Sequence, residues 1–294
     1  MSETAVDEPW RKRFRGMRVL EVLRVRRITP LMQRVTLGGD ELRGIPEGPN
    51  IKLVIPPAGE KDPAWPMRGE DGKPVMPPGR PMPVTRTYSV RRLDRQAGEL
   101  DVDFVLHGEG VASTWAENAR PGDKLGIGGP GGPEVRPAEW YLLAGDQTAL
   151  PAISRILELL PPEARGSAFI AVPGKTEEQD IRRPAGMSLT WIHEDGSSGA
   201  EGTRRLEEAV RAMPWPHGKT IYAWLAAESS TVRSLRHYVR DERGLGKREF
   251  LAIGYWRRGL AEPDYRDKFD HDRGEDFYEA VRDEHSRAHH DHAG

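Results

Sequence analysis

The first third of the chain alternates apolar and polar residues with a period of two, as in strands with one buried face. Three such runs, at 18–25, 33–37 and 51–55, are separated by turn residues. Strand patterns return at 87–91, 100–106 and 125–127, and residues 111–119 have the spacing of a short helix. Short strands at this spacing predict a small antiparallel β-barrel rather than a parallel sheet.

The pattern changes near Trp140, where short apolar strands begin to alternate with helical segments. Strands are predicted at 141–144, 167–172, 189–192 and 220–226, and helices at 148–160, 204–212 and 230–242. This alternation predicts an open parallel sheet covered by helices. We therefore predict a two-domain β plus α/β protein, with a barrel over 15–137, an α/β domain over 138–262 and a charged tail over 263–294.

Two segments lack a periodic pattern. Residues 56–83 are rich in Pro and Gly, which predicts an extended surface loop. The tail is expected to be solvated. Several histidines lie between His285 and His292, but their spacing defines no metal site, so none is predicted there.

Composition narrows the function classes. The formal net charge is -2 with acids and bases interspersed, which argues against a nucleic-acid-binding protein. The chain contains no cysteine, so any redox chemistry requires an organic cofactor rather than a thiol or an iron–sulfur cluster. No signal peptide and no apolar stretch of membrane-spanning length is apparent, so a cytoplasmic protein is expected.

A series of short motifs runs through both predicted domains. The first, Arg86-Thr87-Tyr88-Ser89, lies at the exit of the long loop. The others follow in the order 103–107, 108–116, 121–125, 128–132, 145–153 and 254–259. Any one of these motifs is weak evidence alone, and their order carries the information.

Taken in this order, the chain resembles the siderophore-interacting proteins, which belong to the ferredoxin-NADP reductase-like superfamily of flavoproteins. The resemblance covers roughly residues 15 to 262. It implies an N-terminal antiparallel barrel that binds FAD and a C-terminal open parallel-sheet domain that binds NAD(P)H. It also implies an activity, the reduction of ferric siderophores or other ferric chelates with release of ferrous iron in the cytoplasm.

The residue chemistry of the barrel domain agrees with a flavin site. Arg86 offers a fork of donors for the pyrophosphate, and Tyr88 offers a flat face for the isoalloxazine ring. Ser89 is expected at the flavin N5 edge, so Tyr88 and Ser89 are the predicted catalytic residues. Free N–H groups at the start of the 111–119 helix suit phosphate. The predicted cofactor contacts in this domain are Arg86, Thr87, Tyr88, Ser89, Val111, Ala112, Ser113 and Thr114. The resemblance to the family further implies that Asp103, Val105 and His107 lie along the cofactor.

The second domain carries a candidate nucleotide crevice where residues 145–149 follow a strand and open a helix. The predicted contacts are Gly145, Asp146, Thr148, Ala149, Trp224 and Glu228. Two residues depart from the pattern of the family. Gln147 stands where the family usually has Glu, and Ala227 stands where it tends to have Gly, so the extra methyl group is expected to narrow the crevice.

NADPH is favoured over NADH as the electron donor because Lys175 follows a strand where a 2′-phosphate would need a cation. Arg182 and Arg183 are alternatives for this contact, and reduced ferredoxin is an alternative donor. Ferric siderophores are often anionic, and the chelator already supplies the iron ligands. A cationic wall near the flavin is therefore predicted, built from Arg91, Arg92, Lys247, Arg248, Arg257 and Arg258.

Two other functions remain open from the sequence. One is a general NAD(P)H–flavin reductase that passes electrons to a protein or quinone acceptor. The other is a siderophore-binding protein without turnover, for which purified protein would carry no flavin.

Overall fold

The computed structural model describes residues 12–194 and 200–282, apart from the side chains of 200–203 and 262–263. The chain divides into two compact units, Met1–Gly131 and Gly132–Gly294. The sequence prediction put this division at residue 138. Each unit has a sheet of its own and is described separately below.

The first unit is built on antiparallel strands. In chain order its elements are β1 (Arg18–Thr29), β2 (Met32–Gly38), β3 (Asn50–Ile55), β4 (Met67–Arg68), β5 (Pro74–Val75), β6 (Val84–Ser89), β7 (Arg92–Asp94), β8 (Glu99–Val105), helix α1 (Val111–Asn118) and β9 (Lys124–Gly131). Seven of these strands form one sheet in the order β6-β3-β9-β1-β2-β8-β7. Every pairing in it is antiparallel.

A single apolar core lies against this sheet. It takes inward-facing residues from strands across the sheet and from α1, including Leu20, Val35, Leu53, Val102, Phe104, Ala116 and Ile127. Because strands from all parts of the order share one core, the sheet curls around it, which confirms the predicted antiparallel barrel.

Pairing explains where the structure and the strand predictions differ. Strand β6 starts at Val84 rather than residue 87 because it pairs along the whole of β3, from Ile55↔Val84 to Asn50↔Ser89. Strand β7 was missed because its three residues, Arg-Leu-Asp, are too few to show alternation. Within the long loop, β4 and β5 form a small exposed hairpin that the sequence did not indicate.

The second unit is built on parallel strands. Its elements are β10 (Trp140–Gly145), α2 (Leu150–Leu159), β11 (Arg165–Val172), β12 (Gly186–His193), α3 (Ala200–Ala212), β13 (Ile221–Glu228), α4 (Ser229–His237), a π-helical turn (Tyr238–Glu242), β14 (Phe250–Trp256), α5 (Glu262–Phe269) and α6 (275–282). The strand order is β12-β11-β10-β13-β14, and all pairs are parallel. The predicted open parallel sheet is confirmed.

The direction of winding of this sheet reverses between β10 and β13. In open α/β sheets, ligands bind outside the carboxyl ends of the strands at such a switch point. The residues that follow β10 and β13 are Asp146 and Ser229. The strand order alone therefore indicates where a nucleotide crevice belongs in this unit.

The prediction of a solvated tail is wrong for residues 264–282. Tyr265 is 1% exposed, His271 5% and Asp276 2%. The buried residues of this segment, Tyr265, His271, Asp276 and Ala280, lie among many charged residues, so no apolar periodicity revealed them. The histidines between His285 and His292 lie outside the described residues.

No helix in the described parts of the chain is long and apolar enough to cross a membrane.

Candidate functional site

Strand β6 carries the four residues predicted to hold the flavin. Arg86, Thr87 and Tyr88 are half-buried, and Ser89 is buried at the end of the strand. The Tyr88 ring lies against the core, with its centroid 4.6 Å from that of Phe104 at an interplanar angle of 38°. This packing fixes the orientation of the Tyr88 ring, because one side of the ring contacts the core.

Arg86 shares the core-facing side of β6 with Tyr88, because alternate strand residues point the same way. One Arg86 guanidinium nitrogen donates to the carbonyl of Thr85 at 2.9 Å. The hydroxyl of Thr87, on the other side, accepts a hydrogen bond from Lys52. The predicted run therefore alternates between two environments rather than forming one contiguous surface.

The start of α1 is shaped for an anion. Gly110 precedes the helix with φ of 83°, a left-handed conformation that glycine adopts without strain. Among the described residues no side chain caps the first turn, and that turn contains no acidic residue. The first N–H groups of a helix lack partners within it and carry partial positive charge, so these groups fit a phosphate.

The burial of the side chains around this turn determines which of them a ligand can reach. Ala112 and Ser113 are buried at 7% and 2% exposure, and the Ser113 hydroxyl accepts from the backbone N–H of His107 at 3.2 Å. Val111, Thr114 and His107 are exposed. Ser113 thus holds the 107–110 loop against the helix, while Val111, Thr114 and His107 form the surface that a ligand would contact. The arrangement fits the phosphate part of FAD.

Asp103 has a role that the sequence did not indicate. It lies on the face of β8 opposite Val102 and Phe104, is 4% exposed, and accepts both hydrogen bonds of a bidentate Arg34 pair at 2.7 and 2.8 Å. Bidentate arginine–carboxylate pairs are among the strongest polar contacts in proteins. Asp103 is therefore bound by the fold itself. Its predicted cofactor contact, like that of its half-buried neighbour Val105, stays a prediction.

Arg92 was predicted to face the substrate, but its guanidinium is bound to carboxylates of the first unit. Its guanidinium donates to Asp101 at 2.7 Å, Glu99 at 2.7 Å and Asp94 at 2.9 Å. The hydrogen bonds from Arg24 and then from Arg92 lower the pKa of Glu99 to about 2. Three carboxylates around one guanidinium leave little charge for an anionic substrate. The neighbouring Arg91 lies 3.9 Å from the Asp103 carboxylate.

In the second unit, Asp146 joins three chain segments at the switch point. Its Oδ1 accepts from the backbone N–H and hydroxyl of Thr148 at 2.9 and 2.5 Å. Its Oδ2 accepts from the backbone N–H of Glu228 at 2.9 Å and from the indole of Trp256 at 2.8 Å. The ends of β10, β13 and β14 therefore meet at one carboxylate.

Burial raises the pKa of Asp146, and the hydrogen bonds from Thr148, Trp256 and Glu228 act in the opposite direction. Burial also raises the pKa of Glu194, which follows β12, and the charge of Asp146 adds to that increase. The strand ends of this unit thus hold acidic groups in partly desolvated positions, as functional sites often do.

Glu228 caps the helix that follows the switch point. Its Oε2 accepts from the backbone N–H of Ser230 at 2.6 Å and from the Ser230 hydroxyl, and its Oε1 accepts from the backbone N–H of Arg258 at 3.4 Å. A carboxylate at a helix N-terminus is favourable because it faces the positive end of the dipole. The same carboxylate occupies the place an anion would take, so the start of α4 is not a phosphate site.

Gln147, one of the two departures from the family pattern, has a clear partner. Its side-chain N–H donates to Oε2 of Glu177 at 2.9 Å, and the two residues are 8% and 2% exposed. A glutamate at position 147 would place two carboxylates in contact in a buried position. The neutral amide therefore matches the carboxylate of Glu177.

The other departure does not act as predicted. Ala227 is 1% exposed, and its methyl group belongs to the apolar core that β13 shares with α3 and α4. Strand alternation puts it on the same face as Ala223 and Leu225. The expectation that this methyl group narrows the crevice is wrong.

Three of the predicted crevice contacts have packing roles in the structure. Ala149 is fully buried at 0% exposure, and a Cβ on Gly145 would lie only 2.5 Å from the Cβ of Ala149. Position 145 is therefore a glycine because the start of α2 packs directly on β10. Trp224 is 5% exposed and meets Tyr255 edge to face, with the ring centroids 6.2 Å apart.

The C-terminal segment, defined as residues 264–282, engages most of the cations predicted for the substrate in this unit. Lys247 pairs with Glu275 at 2.6 Å and Arg248 with Glu279 at 3.3 Å. The Arg257 guanidinium lies over the Phe269 ring, 3.7 Å from its centroid. The fourth, Arg258, lies 5.8 Å from the Trp256 ring. The predicted cationic wall is thus largely an anchor for a segment whose packing the sequence did not reveal.

The candidate cations for a 2′-phosphate lie after β11. Lys175 is exposed in a short turn of 3-10 helix, Lys175–Glu177. Arg183 donates to the carbonyls of Met187 and Ile181, at 3.1 and 3.2 Å, and so holds its own loop. Lys175 is the better placed of these two for an external anion. No cluster of three or more His, Asp or Glu side chains in the described residues is arranged to bind a metal ion.

An antiparallel barrel with a helix start suited to phosphate, followed by a parallel sheet whose winding reverses at Asp146, is the arrangement of a two-domain flavoprotein of the reductase type. Family models agree unit by unit. The siderophore-interacting FAD-binding domain matches residues 21–134, and the siderophore-interacting protein domain matches residues 138–259. The chain belongs to the siderophore-interacting protein family, and its first unit is a FAD-binding domain.

Characterised relatives span most of the chain. It is 36% identical over 258 residues to the ferric vibriobactin reductase ViuB of Vibrio cholerae, covering 85% of this chain and 93% of that protein. It is 31% identical over 248 residues to the NADPH-dependent ferric-chelate reductase of Escherichia coli, covering 81% and 92%. The crystal structure of the siderophore-interacting protein SipS from Aeromonas hydrophila superposes with a TM-score of 0.74 at 35% identity, covering 86% and 96%.

Proposed function

We propose that this chain is a FAD-dependent oxidoreductase that uses NAD(P)H to reduce ferric siderophores or related ferric chelates and so releases ferrous iron. The observation that carries the proposal is the carboxylate of Asp146, which joins the ends of three strands at the switch point of the second unit. A nucleotide crevice of this kind, in one chain with a FAD-binding domain, supplies both halves of an electron-transfer enzyme.

The first unit binds and orients the flavin. Arg86 and the open start of α1 would hold the phosphates, and Tyr88, fixed by Phe104, would hold the ring. Ser89 at the end of β6 is the proposed hydrogen-bonding partner of the reactive edge. FAD held by these residues would supply the hydride-accepting chemistry that couples two-electron oxidation of NAD(P)H to one-electron reduction of two ferric ions.

The second unit binds the electron donor. Asp146 and Glu228 define the crevice between the ends of β10 and β13, and Lys175 supports NADPH over NADH. The name of the Escherichia coli relative, an NADPH-dependent reductase, points the same way. Reduced ferredoxin is the alternative donor.

The ferric chelate needs no protein ligand to iron, because the chelator supplies hard oxygen donors. Ferrous iron binds such donors less tightly and leaves, so no side chain acts as an acid or base in this step. Of the six cations predicted for the chelate, four lie within ion-pair distance of carboxylates, namely Arg91, Arg92, Lys247 and Arg248. We therefore place the electrostatic contribution of the second unit on Arg257 and Arg258. A cytoplasmic location accompanies this proposal.

The test uses the purified protein loaded with FAD under anaerobic conditions. NADPH should bleach the flavin absorbance, and addition of a ferric catecholate, hydroxamate or citrate should restore it while a ferrous-specific dye records Fe²⁺. Reduction of quinones without reduction of any ferric chelate would favour a general flavin reductase. A protein that takes up no FAD but binds a ferric siderophore would favour the non-catalytic function.

A further inference from the structure

The C-terminal segment closes the open side of the second sheet. Strand β14 lies at the end of the strand order, and no strand among the described residues pairs with its outer side. Side chains of the segment, together with Arg236 of α4, take the place of such a strand. Asp276 accepts from the backbone N–H of Ala252 at 2.9 Å, Arg236 donates to the Ala252 carbonyl at 2.6 Å, and the His271 ring lies 3.1 Å from the Gly254 carbonyl.

The strand and the segment also fit each other sterically. A Cβ at Gly254 would lie 1.7 Å from the hydroxyl oxygen of Tyr265 and 3.0 Å from the His271 carbonyl oxygen. Only glycine leaves room for the tyrosine at this position. The glycine at position 254 therefore allows Tyr265 to pack directly against β14.

The segment contains a turn in an unfavourable conformation. Asp270, His271 and Asp272 have φ values of 47°, 54° and 50°, a left-handed run that non-glycine residues rarely adopt. Such conformations persist where surrounding contacts determine them, and they are concentrated at sites where geometry matters. The contacts of Asp272 show which neighbouring groups this turn binds.

Asp272 points at the beginning of α4. Its Oδ2 accepts from the hydroxyls of Ser229 and Tyr265, each at 2.5 Å, and its Oδ1 accepts from Arg233 at 3.2 Å. Burial alone would raise the pKa of Asp272, but the hydrogen bonds from Ser229 and Tyr265, together with the charge and hydrogen bond of Arg233, lower the pKa overall. The carboxylate is thus held in its charged, accepting form.

Ser229 is 0% exposed and directly follows Glu228, whose backbone N–H donates to Asp146 at 2.9 Å. A continuous series of contacts therefore runs from Asp272 through Ser229 and Glu228 to Asp146. Every link is a hydrogen bond or a covalent bond, so Asp272 is connected through Ser229 to the β13–α4 turn at the switch point.

We propose that Asp272 is a positioning residue for the nucleotide crevice and that it acts through Ser229 to set the β13–α4 turn for NAD(P)H. This inference rests on the proposed function, since it assigns the crevice to the donor nucleotide. Asp272 itself need not touch the nucleotide. The C-terminal segment, which carries it, is a working part of the donor site.

The experiment compares D272N with D270N in the FAD-loaded, full-length protein. Asn tolerates the left-handed conformation, so both variants preserve the turn. Asp270 faces Arg273 and Tyr278 instead of α4, which makes D270N a matched control for loss of one carboxylate. Binding of NADP⁺ and NAD⁺ is measured by calorimetry, and KM and kcat for NADPH are measured with ferricyanide as the acceptor.

D272N should weaken NADP⁺ binding and raise KM about tenfold, the weight of one hydrogen bond to a charged group, with kcat nearly unchanged. D270N should match the wild type in both, and FAD content should be equal in all three proteins. S229A should reproduce the loss, and the D272N/S229A double variant should be no worse than either single change, because both remove the same contact.

Wild-type affinity in D272N, equal losses in D272N and D270N, or additive losses in the double variant would each overturn the proposal. If D272N does not fold, S229A carries the same test with the segment intact. Failure of the wild type to reduce ferric chelates while it binds NADP⁺ would contradict the proposed function alone. A wild type that binds neither nucleotide would overturn both.

Discussion

The indole N–H of Trp256 donates to Oδ2 of Asp146 at 2.8 Å, and this bond ties the end of β14 to the end of β10 although the two strands are not neighbours in the sheet. Strand β13 lies between them and contributes the N–H of Glu228 to the same oxygen. The Asp146 carboxylate thus holds the ends of these three strands at a fixed spacing.

We expect W256F to lower the stability of the second unit by about 1–2 kcal/mol, because it removes one hydrogen bond to a charged, desolvated acceptor. The readout is the midpoint of thermal unfolding followed by circular dichroism. W140F is the matched control, since the Trp140 indole nitrogen has no hydrogen-bond partner in the described part of the chain. A W256F effect no larger than that of W140F would contradict the assigned role of this bond.

Arg86 should contribute strongly to flavin affinity. R86A is expected to raise the Kd for FAD about tenfold to a hundredfold, because it removes charge-assisted hydrogen bonds to phosphate. The affinity is obtained by titrating flavin-free protein and following FAD fluorescence. R80A removes another arginine of the same unit, one that pairs with Glu60 at 2.9 Å, and it should leave the Kd unchanged. Equal effects of the two changes would exclude a specific role for Arg86.

The pair formed by Gln147 and Glu177 predicts a strong response to a conservative change. Q147E would bring two buried carboxylates together, and the resulting repulsion should cost about 3 kcal/mol of stability at pH 8. The loss should shrink at lower pH as one carboxyl takes up a proton. Unfolding in urea at pH 8 and pH 5 tests both statements.

The reciprocal variant Q147E/E177Q provides the control for this pair, because it restores one amide and one carboxylate in exchanged positions. It should recover most of the stability lost in Q147E. No recovery would show that the loss in Q147E arises from strain rather than from charge.

Glu99 should make the first unit sensitive to acid. Its pKa lies at about 2 in the fold, below its ordinary value of 4.5, because Arg24 and Arg92 hold its charged form. A lowered pKa contributes stability above the ordinary value, and that contribution is lost as the pH falls from about 4.5 towards about 2. E99Q should therefore lower the melting temperature at pH 7 and flatten its decline between those two values.

Melting curves from pH 7 down to pH 2 test this prediction, with E60Q as a control at a single surface pair with Arg80. A wild-type curve that does not decline more steeply than that of E99Q in this interval would contradict it.

Lys175 should discriminate between the two donor nucleotides. K175A is expected to raise KM for NADPH about tenfold and to leave KM for NADH nearly unchanged, because only NADPH carries the 2′-phosphate. R182A, which alters another exposed cation after β11, serves as the comparison. A parallel increase of both KM values in K175A would indicate a general effect on the crevice.

Much of the fold was predictable because it depends on periodic patterns. Strands such as β1, β2 and β8 alternate clearly, and the change near Trp140 from strand runs to strand–helix alternation marked the second sheet. Strand β14 was not predicted. Its last residues belong to the motif at 254–259, and helix α5, in the segment that packs against it, consists mostly of charged residues.

The candidate site was less predictable because contacts between distant residues decide it. The sequence indicated Asp146 and Glu228 but not that one carboxylate would bind both Glu228 and Trp256. It indicated the basic residues Lys247 and Arg248 but not their acidic partners in the C-terminal segment, which looked solvated. A charged residue in a sequence can form an ion pair, but the fold decides which residue becomes its partner.

The side chains that cover β14 also determine how the protein behaves when its C-terminus is altered. An uncovered strand edge is a template for pairing with a second molecule. A chain shortened before Tyr265 would lose Asp276 and His271 and so expose the N–H of Ala252 and the carbonyl of Gly254 on the outer side of the parallel sheet. Such a protein would tend to self-associate edge to edge, so the C-terminal segment also protects the folded chain from aggregation.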